Sequence, residues 1–377
     1  MFSSLLSLRA CRGAARAGVV LVLAVSALAA SAAPPLPALG VEGAVTVSGI
    51  SSGGYMAVQF QVAHSALVDG AGVFAAGPYD CAQGSMRRAL DVCMEPSSAA
   101  RLPKAAETRA HIEALARAGA VDAVENLGDD RVWVLSGGRD RTVAPAVVDA
   151  LVDFYRSVLP ADAVRYLKVA DAGHAMITVA APQANACETS QPPYLNRCGE
   201  LDAAGDLLAH LLGPLQPRAA RATGELIAFD QGEFTAGKPV DLSMAARGQV
   251  YVPAACRGGG CRVHVAFHGC RQSEAQLGLR YVEGAGYNEW ADSNRLVVLY
   301  PQTQPRYGAA LWSWRWVFNP KACWDWWGYT DRNYATRDGG QIRALRAMLA
   351  RLAQPVVAPA SDAGRITRAA AASARPE

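Results

Sequence analysis

The segment that most limits what this chain can become is Val45-Thr46-Val47-Ser48-Gly49-Ile50-Ser51-Ser52-Gly53-Gly54-Tyr55-Met56-Ala57. Its β-branched start reads as a strand, and the residues from Tyr55 onward read as a helix. Between them stands Gly49-x-Ser51-x-Gly53. A serine on a sharp strand-to-helix turn exposes its Oγ, and glycines two positions to either side let strand and helix cross closely. Ser51 has both glycines, whereas Ser52 has Ile50 two positions before it, so Ser51 is the candidate nucleophile. A plain Gly/Ser turn ahead of a helix is the competing reading. The strand before the motif and the helix after it count against that reading.

The rest of the chain repeats this alternation, which is the pattern of an α/β fold with a mostly parallel sheet flanked by helices. Strands are expected at 44–48, 72–75, 131–135, 163–169, 263–267 and 296–300, and helices at 55–64, 104–118, 145–157, 201–212 and 339–353. A Pro- and Arg-rich stretch at 213–221, followed by irregular sequence to about 249, marks a boundary between two halves. No repeat of solenoid length is visible. With 51% of 377 residues hydrophobic and 18% charged, the chain carries enough apolar surface for a core. That excludes a disordered, collagen-like or coiled-coil protein.

Residues 1–33 read as a signal peptide: Arg9, Arg12 and Arg16 precede an apolar run at 18–30, which ends in Ala30-Ser31-Ala32. The run is shorter than the ~20 residues needed to cross a bilayer, so a cleaved leader is expected rather than a membrane anchor. The chain has 36 Lys and Arg against 33 Asp and Glu, and the leader's three arginines account for the excess. A balanced mature chain argues against nucleic acid as a partner. Residues 355–377 form an Ala-rich tail expected to be disordered, leaving 34–354 as one domain.

Eight cysteines lie outside the leader: Cys81, Cys93, Cys187, Cys198, Cys256, Cys261, Cys270 and Cys323. An even number in an exported chain points to disulfides in an extracellular or periplasmic setting, with many connectivities open. Short spacing favours Cys187 with Cys198 and Cys256 with Cys261, which leaves Cys81 with Cys93 and Cys270 with Cys323. A zinc site is the alternative, and Cys256 and Cys261 followed by His264 and His268 come nearest to one. No C-x-x-C occurs, and those histidines lie on an expected strand, so no metal and no cofactor are expected.

A serine needs a base and a carboxylate to orient that base. Of six histidines, His64, His111 and His210 fall within helical stretches. His174 lies instead in a glycine-bearing loop after the strand ending at Val169, where a catalytic histidine is well placed. Asp140 stands just beyond the carboxyl end of another expected strand, where α/β folds place their sites. An N-cap role for Asp140 and the nearby Asp171 are the alternatives; the order Ser, Asp, His along the chain favours Asp140. The oxyanion hole then presents an anomaly. One donor is the backbone N–H of Ser52, but the other belongs on an H-G loop after an early strand, normally ahead of the nucleophile. The chain carries His268-Gly269-Cys270 far downstream instead. A first sheet segment moved behind the last is a circular permutation, with 213–249 as the junction of the old ends.

These residues, together with 226–234, 250–256, Tyr300-Pro301-Gln302 and Cys323-Trp324-Asp325-Trp326-Trp327, resemble the extracellular poly(3-hydroxybutyrate) depolymerases, specifically the circularly permuted, single-domain α/β-hydrolase type. The resemblance covers about residues 40–352. It implies a Ser51, Asp140, His174 triad, oxyanion donors at Ser52 and Cys270, and a polyester or oligoester substrate cleaved through an acyl-enzyme. Six of eight tryptophans fall between 312 and 327. Alternation at Trp312, Trp314 and Trp316 either buries one face of a strand or offers a binding face. The Trp324, Trp326 and Trp327 cluster is expected to supply an aromatic facing the substrate, at Trp326 or Trp327 first. After Leu352 only the tail follows, so either the catalytic surface adsorbs to polymer or the substrate is a soluble or polysaccharide-linked ester of feruloyl or acetyl type. A non-catalytic exported binding protein is the remaining alternative. A monomer is expected.

Overall fold

The computed structural model describes residues 33–310 and 313–356. The leader expected at 1–33 falls, up to residue 32, outside the described residues, as do Trp312 and the tail from 357 on.

Eight strands form one sheet: β1 (Val45–Ile50), β2 (Gly70–Phe74), β3 (Arg131–Gly137), β4 (Val164–Val169), then, after the three short strands β5 (Met176–Ile177), β6 (Asn185–Ala186) and β7 (Leu195–Arg197) of a small separate sheet, β8 (Glu225–Asp230), β9 (Arg247–Val252), β10 (Arg262–Phe267) and β11 (Leu296–Tyr300). The order across the sheet is β4-β3-β2-β1-β10-β11-β9-β8. From β4 to β11 all pairs are parallel, and β9 and β8 complete the edge antiparallel. Counted from β8 instead of β1, the strands stand in the order of an α/β-hydrolase sheet whose second strand is antiparallel and whose third and fourth exchange places. The permutation is therefore visible in the topology: β10, far downstream, lies directly beside β1, with Val47 opposite Val265 and Gly49 opposite Phe267.

Burial explains why these strands read clearly in the sequence. All six residues of β1 and all five of β2 are buried, as parallel strands covered on both faces must be. Alternate side chains feed two separate cores. Val47, Val73, Val134 and Val265 pack with the helices Ser52–Ala63, Pro145–Arg156 and Gly340–Leu352, whereas Phe74, Trp133, Leu135 and Val298 pack with the helix Ala203–Leu212.

The stretch expected to be irregular, 213–249, contains β8 and the first residues of β9. Glu225–Asp230 is an edge strand with one fully buried residue, so its hydrophobic alternation is weak in the sequence. A further hairpin, β12 (Arg306–Ala310) with β13 (Ser313–Asn319), stands apart from the main sheet.

Candidate active site

Ser51 sits between β1 and the helix Ser52–Ala63 with φ 56° and ψ −122°, a conformation non-glycine residues rarely adopt. Its N–H donates to the Phe74 carbonyl at 2.9 Å, anchoring the turn on β2. The flanking glycines are required by contact. A Cβ on Gly49 would lie 2.2 Å from the Gly53 carbonyl oxygen, and one on Gly53 would lie 2.4 Å from that of Phe267. The second glycine of the motif is thus fixed by a strand that the chain supplies more than two hundred positions later.

Asp140 and His174 come together at the carboxyl ends of β3 and β4. The Asp140 Oδ2 lies 2.7 Å from His174 Nδ1, and its Oδ1 accepts from the N–H groups of Thr142 (2.7 Å) and Val143 (2.9 Å). Both residues are buried. Because a carboxylate only accepts, the neutral imidazole carries its proton on Nδ1 and leaves the Nε2 lone pair free. Arg139 N–H donates to the Ala172 carbonyl at 2.9 Å, tying the two loops. The competing acid, Asp171, is exposed and pairs with Arg139 at 3.0 Å, away from the imidazole. Of the other histidines, His111 pairs with Asp80 and His210 meets the Ala163 carbonyl, while burial pushes His64 down to about 4.

Ser52 is the first residue of its helix, so its N–H has no intrahelical acceptor. The Cys270 N–H belongs to the same planar unit as the Gly269 carbonyl. That carbonyl accepts from His268 Nδ1–H at 2.8 Å, while Thr303 N–H donates to His268 Nε2 at 3.2 Å. A trans peptide points its N–H opposite to its C=O, so the imidazole sets the direction of the Cys270 N–H. Complete burial holds His268 down to about 4, which keeps it neutral and in this tautomer at neutral pH. Sequence reasoning weighed His268 only as part of an H-G motif and as a metal candidate. Its polar partner, Thr303, lies just past β11, a pairing that only the fold reveals.

Ser51, Tyr55, His174, Cys270, Trp326 and Trp327 line one cavity of about 560 Å³. Trp326 stacks on Tyr55 with centroids 4.3 Å apart and planes 8° from parallel, and Trp327 meets Trp326 edge-on. Asp325 organises this turn: its carboxylate accepts from the N–H groups of Gly328 (2.7 Å), Tyr329 (3.0 Å) and Thr330 (2.8 Å). Burial raises it to about 6, against the pull of those donors. Trp324 does not join the cavity, contrary to expectation. It is fully buried beneath the oxyanion loop, 5.1 Å from Phe267 and 5.6 Å from His268 between ring centroids, because the turn directs it inward. Trp314 is 100% exposed and Trp316 71%, so these two do not bury one face of a strand; Trp312 lies outside the described residues.

The cysteines pair as Cys81–Cys93, Cys187–Cys198, Cys256–Cys261 and Cys270–Cys323. Cys256 and Cys261, weighed above as metal ligands, are therefore joined to each other. The last pair ties the His268-Gly269-Cys270 loop, the candidate oxyanion loop, to the tryptophan turn.

The sheet order is that of the α/β-hydrolase fold, and Ser51, Asp140 and His174 stand on it as a candidate nucleophile, acid and base of serine-hydrolase type. Comparison with known proteins narrows it. No family model matches the chain. A poly(3-hydroxybutyrate) depolymerase of Delftia acidovorans is 42% identical over 324 residues, covering 84% of this chain and 61% of the relative, so this chain spans less than two thirds of that protein's length. A polyhydroxybutyrate depolymerase of Talaromyces funiculosus is 35% identical over 320 residues, covering 83% of this chain and 91% of the relative. Two solved structures match with 85% of this chain and 98% of theirs covered: a PHB depolymerase complexed with R3HB trimer (TM-score 0.76, 33% identity) and the crystal structure of PHB depolymerase from Penicillium funiculosum (TM-score 0.75, 34% identity). The chain belongs to the poly(3-hydroxybutyrate) depolymerase family.

Proposed function

We propose that this protein hydrolyses poly(3-hydroxybutyrate) and its oligomers through an acyl-enzyme on Ser51. His174 Nε2 takes the Ser51 proton as Oγ attacks an ester carbonyl, and the N–H groups of Ser52 and Cys270 stabilise the tetrahedral oxyanion. Collapse expels the alcohol, protonated by His174; water then attacks the acyl-enzyme by the reverse proton route. Asp140 holds the imidazole in its Nδ1–H tautomer and stabilises the cation that forms. The observation that carries this reading is a cavity holding Ser51, His174 and Cys270 beneath stacked aromatics; among the described residues its lining is mostly apolar and has no carboxylate, with Arg271 and Lys321 as its charged members. A polyester repeat, apolar but for ester oxygens that only accept hydrogen bonds, suits such walls.

The hairpin favours the polymer over soluble esters. Tyr307, Trp314, Trp316 and Phe318 expose 70%, 100%, 71% and 47% of their surfaces, and Phe318 also lines the cavity mouth. Exposed aromatics contiguous with a substrate cleft mark an interaction surface. The four disulfides fit export to an oxidising compartment, the role proposed for residues 1–33. No helix among the described residues is long and apolar enough to cross a membrane. We assign residues 34–354 to one catalytic domain acting as a monomer.

The test compares hydrolysis of polymer granules, the 3-hydroxybutyrate trimer and p-nitrophenyl esters, with fluorophosphonate labelling of the folded protein. Cleavage of granules and trimer with label on Ser51 is the expected result. An unlabelled Ser51, or turnover of p-nitrophenyl esters alone, overturns the proposal.

A further inference from the structure

The catalytic centre is assembled from loops that leave strands which are not neighbours in the sheet. His174 follows β4 at the sheet edge and the oxyanion loop follows β10, with β3, β2 and β1 between them. Strand pairing sets the spacing of the strand ends, and contacts between the loops beyond them set how base and oxyanion donor face each other.

One buried amide spans that gap. Gln272 is 1% exposed. Its Oε1 accepts the Gly269 N–H at 2.8 Å, and its Nε2 donates to the carbonyls of Pro193 (3.0 Å) and Tyr194 (3.1 Å). The partners settle which end is oxygen, since an N–H needs an acceptor and two carbonyls need donors. The Tyr194 carbonyl also accepts the Met176 N–H at 2.9 Å, two residues past His174, and Ser190 Oγ accepts the His174 N–H at 2.8 Å. A single carbonyl oxygen thus touches both the amide that grips the oxyanion loop and the strand that follows the base.

We infer that Gln272 is a positioning residue that locks the Gly269–Cys270 oxyanion loop to the loop carrying His174, across the two halves of the permuted chain. The inference rests on the acyl-enzyme reading above. The lock keeps the Cys270 N–H at a constant separation from His174 Nε2, the geometry that the tetrahedral intermediate requires while the ground-state ester does not. A role confined to satisfying buried polar groups would affect folding stability alone.

The experiment uses the soluble trimer, which removes polymer adsorption from the readout. Gln272→Met keeps the volume and removes every polar contact. kcat is expected to fall about tenfold to a hundredfold, the range for a catalytic group displaced by a fraction of an ångström to 1 Å. KM should stay within about twofold, and fluorophosphonate labelling of Ser51 should slow in parallel. Gln272→Glu keeps the acceptor for Gly269 but turns a carboxylate toward two carbonyls, and regains a donor only when protonated. Its kcat relative to the parent should therefore climb as pH is lowered from about 8 to about 5. A Gln272→Met protein that melts earlier yet keeps its kcat within twofold, or a Gln272→Glu ratio flat with pH, overturns the inference. If Gln272→Met does not fold, the Gln272→Glu pH series decides alone. A parent protein that neither labels at Ser51 nor cleaves trimer sinks the acyl-enzyme reading instead, so the two failures are distinguishable.

Discussion

The tryptophan turn after Cys323 and the hairpin before it are neighbours in sequence, both dense in aromatics, yet they face opposite environments. In the turn, a buried carboxylate gathers successive backbone N–H groups and a disulfide fastens the segment to the oxyanion loop, so Trp324, Trp326 and Trp327 are all at least nine-tenths buried. In the hairpin, no layer among the described residues packs against the outer face of the two paired strands. Val317 turns inward at 1% exposure while Trp316 and Phe318 on either side turn to solvent. Aromatic content is equal evidence for a core and for a contact surface; what separates them here is whether the backbone finds partners that fold it back on the sheet. The turn lines the cavity that holds Ser51, and the hairpin faces what lies outside it.

The comparison breaks most decisively at chemistry. Ser51→Ala should lower kcat on trimer and polymer by about 10⁶-fold while leaving granule adsorption intact, measured by turnover and by sedimentation with polymer. Lost adsorption in that variant would merge the two regions into one function. Asp140→Asn should cost about 10⁴-fold in kcat with the fold unchanged, because the imidazole then takes the wrong tautomer. Next comes stability. Trp326→Ala should destabilise the protein by about 3–5 kcal/mol in denaturant titration, since it removes a packed ring from against Tyr55. The double change Trp314→Ala with Trp316→Ala should alter stability by no more than about 0.5 kcal/mol, weaken granule adsorption about tenfold and leave trimer kinetics alone. Equal stability losses at the two sites would remove the distinction drawn here.

A separate prediction concerns acid. Burial holds His64 and His268 near 4 and His264 near 3, all below the usual 6.5. The unfolded chain binds these protons first, so the stability these groups contribute is complete above about pH 6.5 and is lost as pH falls through about 4. Denaturation midpoints across that window should decline. Replacing His264, which sits between Thr46 and Ser48 with no part in the cavity, should reduce the slope; an unchanged slope would contradict the burial argument.

Much of the centre was legible because its signals are local. The elbow needs glycines at fixed offsets, Asp140 and His174 follow recognisable strands in the order expected of the fold, and short spacing pointed to the disulfides. Trp324 was misjudged because a cluster of tryptophans carries no direction until the Asp325 turn is formed. The edge strand β8 was missed because half-burial dilutes its pattern. Gln272 and Thr303 carried no signal at all, since an amide or hydroxyl becomes meaningful only beside the groups it bridges.

The amino-acid sequence alone singled out the candidate nucleophile, the order of the triad candidates and the displaced H-G-C motif, because each depends on a few residues close together in the chain. Tertiary structure decided which strand lies beside β1, which aromatics reach water and how the base and oxyanion loops are held together. Those outcomes depend on contacts between segments more than two hundred positions apart, as with Gly53 against Phe267, whose proximity only the folded sheet establishes.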